Sequence, residues 1–164
     1  MLKGNWSGVT RKLEGFQKEL TDGMRESTAQ SAALVESTVL GHLKHQDLGW
    51  QSLSPAYLKQ KLTKKGRGSR RLSEKILIAT ATYFQSITTS FSTIDKGLKA
   101  FVGVKRGVAR EKDGTDVVDI ASVHEFGSPK NNIPARPLWQ PTLKETEPKI
   151  KKIYQEKLKD LLQI

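Results

Sequence analysis

Apolar residues recur at helical steps through the N-terminal part of the chain. Trp6, Val9, Leu13, Phe16, Leu20 and Met24 follow one another at intervals of three or four, and Val35, Val39 and Leu43 continue at intervals of four. A period near 3.6 puts such residues on one helix face. The spacing therefore predicts one long amphipathic helix, or two with a break near Thr28. Gly8, Gly15 and Gly23 each weaken it by about 1 kcal/mol relative to alanine. Packing must support it, along a sheet or against a neighbouring subunit. "HQDLGW" ends the run, with Gly49 as the turn residue. "SPAYLKQKL" then starts a second helix, because Ser54 is a good N-cap and Pro55 loses nothing at the first helical position.

"TKKGRGSRR" has no apolar residue and two glycines, which predicts a flexible basic loop over 63–71. "SEKILIATATYFQSI" reads as a short helix buried through Ile76, Leu77, Ala79, Tyr83 and Phe84, although its β-branched content also suits a strand. From Ile87 the period shortens to two. Ile87, Thr89, Phe91 and Thr93 form one strand and "DKG" turns the chain. Leu98, Ala100, Val102 and Val104 form the next strand, and "VVDIASV" a third beyond the charged tip "KRGVAREKDGTD". Helical spacing returns through Ile150, Ile153, Tyr154, Leu158 and Leu161. The pattern predicts a single α+β domain over 1–164: an antiparallel β-sheet meander packed with a long N-terminal helix, short middle helices and a C-terminal helix.

Composition adds three constraints. Only 36% of the 164 residues are hydrophobic and the mean hydropathy is −0.51, so part of the chain is expected to be exposed helix, long loop or subunit interface. Cysteine is absent, which excludes disulfides, thiolate metal sites and cysteine nucleophiles. No stretch approaches the ~18 apolar residues of a membrane span, and the N-terminus has no apolar signal core, so a soluble protein without membrane contact is expected. The net charge of +11 is local: eight basic residues face one acid between Lys59 and Lys75. Lys64, Lys65, Arg67, Arg70 and Arg71 lie at its centre. Such a patch can meet nucleic-acid phosphate or an acidic protein surface, or simply be a solvated loop.

No catalytic constellation emerges. His124-Glu125 is not followed by the second histidine that a zinc-protease helix needs, since position 128 is Ser. On the expected strand the two side chains would also point to opposite faces. His42 and His45 have no third ligand nearby, and "KKGRGSRR" lacks the spacing of a phosphate-cradling loop. No enzyme activity, metal or cofactor is expected. What remains is a shaped segment: Gly127 ends a strand, "SPKNN" is a polar loop, and Pro134 and Pro137 hold Ala135-Arg136 extended. Leu138 and Trp139 anchor the final helix. An arginine and a tryptophan in so rigid a setting suit an interface. His124, Glu125, Phe126, Ile133, Pro134, Arg136, Pro137 and Trp139 are its candidate residues, with Arg136 offering a fork of donors to a carboxylate or to carbonyls.

"IASVHEFGSPKNNIPARPLWQPTLKE" resembles a signature of tailed-bacteriophage virion-morphogenesis proteins, in which an HEFG-like strand end, a variable loop and an IPARPF-like segment precede a helix. "GWQSLSPAYLKQK" and "KILIATATYFQSI" are similar to two upstream blocks of that family, and the three occur in order across about 100 residues, from Gly49 to Glu145. The middle block lacks the usual glycine, and the aromatic after Arg-Pro is shifted to Trp139 behind Leu138. The resemblance implies a tail-completion, or head–tail joining, protein of the virion neck, assembled in the host cytoplasm. It implies a homo-oligomeric ring of six-fold type, a tail terminator. Its neighbours would be the tail tube protein and the head-completion connector, with genomic DNA passing through the channel. In that setting the basic loop would face either the DNA or an acidic protein rim. The competing expectation is a non-specific DNA-binding protein acting through the Lys59–Lys75 patch.

Overall fold

The computed structural model describes residues 6–63, 74–78, 82–95, 97–109 and 114–163. The N-terminal pattern forms one uninterrupted helix, α1 (Trp6–His45), with no break at Thr28. α2 (Pro55–Thr63) begins as its sequence suggests, the Ser54 hydroxyl accepting from the Tyr57 N–H at 3.3 Å. A short α3 (Thr82–Ser86) leads directly into β1 (Ile87–Ile94), which pairs antiparallel with β2 (Gly97–Val104) in the register Ile87–Val104 to Ile94–Gly97. α4 (Val117–Phe126) and α5 (Trp139–Leu162) complete the chain. The mixed helix-and-strand class is therefore the expected one, with its long first helix, short middle helices and final helix. No described helix is long and apolar enough to cross a membrane.

One expected element is different. "VVDIASV" forms not the third strand of a meander but most of α4, so the sheet of described residues has two strands. The Asp116 side chain decides this by accepting from the Val118 N–H at 2.9 Å, as an N-cap does. It also accepts from the Gly107 N–H at 3.0 Å, which fastens the start of α4 to the turn after β2. Both contacts hold its carboxyl below the ordinary value. Once the turn is nucleated, Val117, Ile120, Ala121 and His124 share a face, and Val117 and Ala121 are buried. The short helix expected over 73–87 is also trimmed to its last turn among the described residues, with Lys75–Ile78 in a bend and turn.

α5 lies antiparallel along α1. Leu161 and Lys157 approach Gly23, the Thr28 and Tyr154 hydroxyls are 2.7 Å apart, and Glu145 reaches His42. The facing residues are small or hydroxylic: Ser27, Thr142 and Thr146 are fully buried. Each hydroxyl returns its proton to the carbonyl one turn back, so no polar atom among them is stranded. The apolar core sits at the other end of α1, where Val39 and Leu43 meet Tyr83, Ile87, Val117, Ala121 and Leu138.

The buried His42 links the ends of three segments. Its Nδ1 lies 2.7 Å from Asp47 beyond α1, and its Nε2 lies 3.3 Å from Glu145 on α5. Asp47 is held below its ordinary value of 3.8, chiefly by the His42 hydrogen bond. Glu145 is held below 4.5, chiefly by Lys149 and in part by His42. Both carboxyls have folded values lower than unfolded ones, so their contribution is complete above the unfolded values and is lost as pH falls through the folded ones. Thermal melts should therefore show stability declining below about pH 4.5, and His42→Gln should flatten that acid limb. An unchanged limb would mean that His42 does not couple to these carboxylates. Leu43→Ala, which opens a hole at the centre of the core, should cost about 3 kcal/mol in urea unfolding.

Candidate functional site

The segment from His124 to Trp139 is a closed structural unit. Gly127 ends α4 with φ 78°, and a Cβ there would stand 2.9 Å from the Ala135 nitrogen, so only glycine lets residues 133–135 pass so closely. The chain then makes a short 3₁₀ turn over Pro129–Asn131 and returns through a left-handed Asn132. Ser128 and Ile133 exchange backbone hydrogen bonds of 2.8 and 3.0 Å. Arg136 N–H donates to the His124 carbonyl at 2.6 Å, which closes the loop at its base.

Glu125 has a role that its placement on a strand would have hidden. It sits in the last turn of α4, and its carboxylate accepts from the backbone N–H groups of Leu138 (2.7 Å), Trp139 (3.1 Å) and Gln140 (3.0 Å). These are orphan donors at the start of α5, where Leu138 offers no side-chain cap of its own. A carboxylate at this position also meets the positive end of the helix dipole. His124 and Glu125 serve different parts of this unit: the His124 carbonyl closes the loop, and the Glu125 side chain caps a helix thirteen to fifteen residues ahead. Pro137 supplies its carbonyl to the Trp50 indole N–H at 2.8 Å. Trp139 packs against the core beside the buried Tyr83, whose phenol burial pushes up to about 12.

Beside this unit opens a cleft of about 900 Å³. Ile133 and Pro134 form part of its wall, Tyr57 and Leu77 face it from other segments, and Phe126 stands at its edge with 80% of its surface exposed. Two cations line it although they are almost buried, Lys61 at 5% and Arg136 at 6% exposure. The Arg136 fork closes on a carbonyl of its own chain, with Nε and Nη2 both donating to Gln51 O at 3.3 Å. Lys61 Nζ donates to Lys75 O at 2.6 Å. Burial disfavours both charges, and Arg136 lowers the Lys61 ammonium further. Among the described residues, neither pairs with a carboxylate. An arginine presents five N–H donors and a lysine three, so these bonds leave both with donors to spare at the cleft. Sequence reasoning selected Arg136 but counted Lys61 only as part of the basic run. Nothing in the sequence marks it, because the face of α2 that turns inward is set by the segments packed against it.

Lys64, Lys65, Arg67, Arg70 and Arg71 lie outside the described residues. Of the same basic run, Lys75 Nζ donates to Lys44 O at 2.5 Å, so two of its lysines are engaged within the fold. No group of three or more metal-ligating side chains occurs among the described residues.

Over 144 residues, 88% of this chain and 91% of its counterpart, the sequence is 33% identical to the uncharacterized protein MJ0331 of Methanocaldococcus jannaschii. The chain belongs to the family of that protein. No protein-family model and no solved structure matches it. The kinship extends over nearly the full length of both proteins, so it concerns the whole domain and not one motif.

Two substitutions test the closed unit. Glu125→Ala strands three N–H groups and should cost about 2 kcal/mol, with hydrogen exchange speeding first at Leu138–Gln140. Gly127→Ala meets backbone on a φ that alanine resists and should cost roughly 2–3 kcal/mol. A neutral result for either would show that the loop closes without the contact removed.

Proposed function

We propose that this protein is a structural component of a tailed-phage-type virion, acting at the neck to complete the tail and join it to the head connector. One observation carries the reading. The three segments that resemble the virion-morphogenesis family are far apart in sequence, yet all three contribute to one cleft: Gln51, Tyr57 and Lys61 from the first, Leu77, Thr82 and Tyr83 from the second, His124, Phe126, Ile133 and Arg136 from the third. The shared motifs thus mark a surface and not merely a core. Its chemistry suits docking of another protein: an apolar wall, an exposed Phe126 at the rim, and two desolvated cations with donors to spare. An acidic side chain of a neck partner, flanked by apolar residues, is the group that this cleft would take. In the assembled ring the copies would surround the DNA channel, with the tail tube on one side and the connector on the other.

A non-specific DNA-binding role is the second reading, and the excess of seven positive charges between Lys59 and Lys75 favours it. It predicts DNA affinity that falls steeply with salt, with a slope near −0.9 per phosphate neutralised. The engagement of Lys61 and Lys75 inside the fold reduces the charge free for that purpose.

The test is made in particles produced by a virus or provirus encoding this chain. The protein should be present in purified virions at ring stoichiometry. Lys61→Met removes a buried charge at similar volume, together with its repulsion by Arg136, and should keep the fold although Lys75 O loses its donor. It should nevertheless give filled heads and finished tails that remain separate. Absence of the protein from particles defeats the virion reading. Normal joining with Lys61→Met defeats the cleft as its docking site.

A further inference from the structure

The first turns of α1 carry an apolar seam that nothing described in the chain covers. Trp6, Val9, Leu13 and Phe16 are 73, 49, 63 and 38% exposed, and Leu20 follows on the same line. Their spacing is three, four, three and four, a strict 3.5-residue repeat, narrower than the broad stripe by which a helix packs on a globular core. The next position of the repeat is Gly23, and there the seam is already occupied: Leu161 and Lys157 of α5 lie against it. α5 ends at Leu162, so one continuous seam is filled by a helix over its later turns and is open over its first four. The open stretch has the geometry of a two-helix contact lacking its second helix.

The charges beside the seam say which helix fits. Taking Trp6, Leu13 and Leu20 as one set of knobs and Val9 and Phe16 as the other, the flanking positions on one side are Lys12 and Glu19, and on the other Thr10 and Gln17. Two copies aligned parallel would set Lys12 beside Gln17 and gain no charge pairing. Two copies aligned antiparallel, with Leu13 opposite Phe16 and Val9 opposite Leu20, set Lys12 of each against Glu19 of the other. Symmetry makes this pair twice, while Thr10 and Gln17 meet on the opposite flank. In the same register, Trp6 of the second copy reaches the level of Gly23, where Leu161 and Lys157 already fill the seam, and so abuts the C-terminal end of α5, where Leu162 is half exposed. A large side chain then meets the bare end of a helix instead of water.

We infer that residues Trp6–Leu20 of α1 form an antiparallel, two-fold helix pair with the same segment of a second copy of this chain. The contact is isologous and closes on itself, so it joins two copies and leaves the cleft and its rim free for other partners. It does not depend on the virion reading, because it uses a different face and a different partner.

Sedimentation of the full chain decides the matter. The wild type should be a reversible dimer at concentrations of about 100 µM. Leu13→Asp, which buries a charge at the centre of the pair, should weaken association about 100-fold or more while leaving the circular dichroism spectrum unchanged. Lys12→Glu and Glu19→Lys should each weaken self-association, because each sets like charges opposite one another. Mixed one to one, these two variants should pair with each other in preference to themselves, and the double swap in one chain should restore the homodimer. A monomeric wild type overturns the inference. So does a dimer or larger ring that survives Leu13→Asp, since the contact then lies elsewhere. Single charge variants that associate like the wild type overturn the antiparallel register.

Discussion

The carboxylate of Glu125 holds the two halves of this fold together. It lies at the end of α4 and accepts the N–H groups of the α5 N-cap, Leu138, and of the first two α5 residues, so the intervening residues become a loop closed at both ends by defined hydrogen bonds. Without that acceptor the start of α5 would present orphan donors next to the core, where Leu138 is fully buried. With it, Leu138 and Trp139 are delivered to the hydrophobic cluster and α5 is aimed back along α1. The cleft follows from the same constraint. Its wall is the returning strand-like segment from Ile133 to Arg136, held by the Ser128–Ile133 bridge and by the Arg136 N–H to His124 O bond.

This arrangement explains how a chain of low hydrophobic content keeps its shape. The apolar cluster is small and confined to one end of α1. Elsewhere, several buried polar side chains have partners within the fold: Ser27, Thr142 and Thr146 bond the preceding turn, Trp50 bonds Pro137 O, and His42 Nδ1 bonds Asp47, whereas the buried Ser31 hydroxyl has no hydrogen-bond partner among the described residues. Small hydroxylic residues also let α1 and α5 approach closely. The cost of this economy is an uncovered surface: the first turns of α1, Phe126, and Phe91 and Phe101 on the hairpin all remain exposed.

Much of the local structure was legible in the chain. Periods of 3.6 and 2 located α1, α5 and the β1–β2 hairpin, and Ser54-Pro55 announced α2, because each rests on signals within a few residues. The punctuation around Gly127 and the prolines correctly pointed to a shaped segment. The roles inside it were not legible. Glu125 reads as a polar interface residue at a strand end until its partners, thirteen to fifteen residues away, are known, and Lys61 reads as one more exposed lysine until α2 turns it inward.

The sequence by itself determined the long helix, the hairpin, the final helix and the lack of a thiol or recognised catalytic pattern, since periodicity and composition are properties of neighbours along the chain. Only the tertiary structure decided that "VVDIASV" is helical. Its β-branched residues favour a strand, but an Asp116 cap anchored to Gly107 and an inward face of Val117 and Ala121 outweigh that preference. Tertiary structure likewise decided that three separated motifs border one cleft, and that two like charges lie buried beside it. Propensity acts over a few residues, whereas burial and hydrogen-bond partners are assigned by segments tens of residues apart, and no reading along the chain can see which of those will meet.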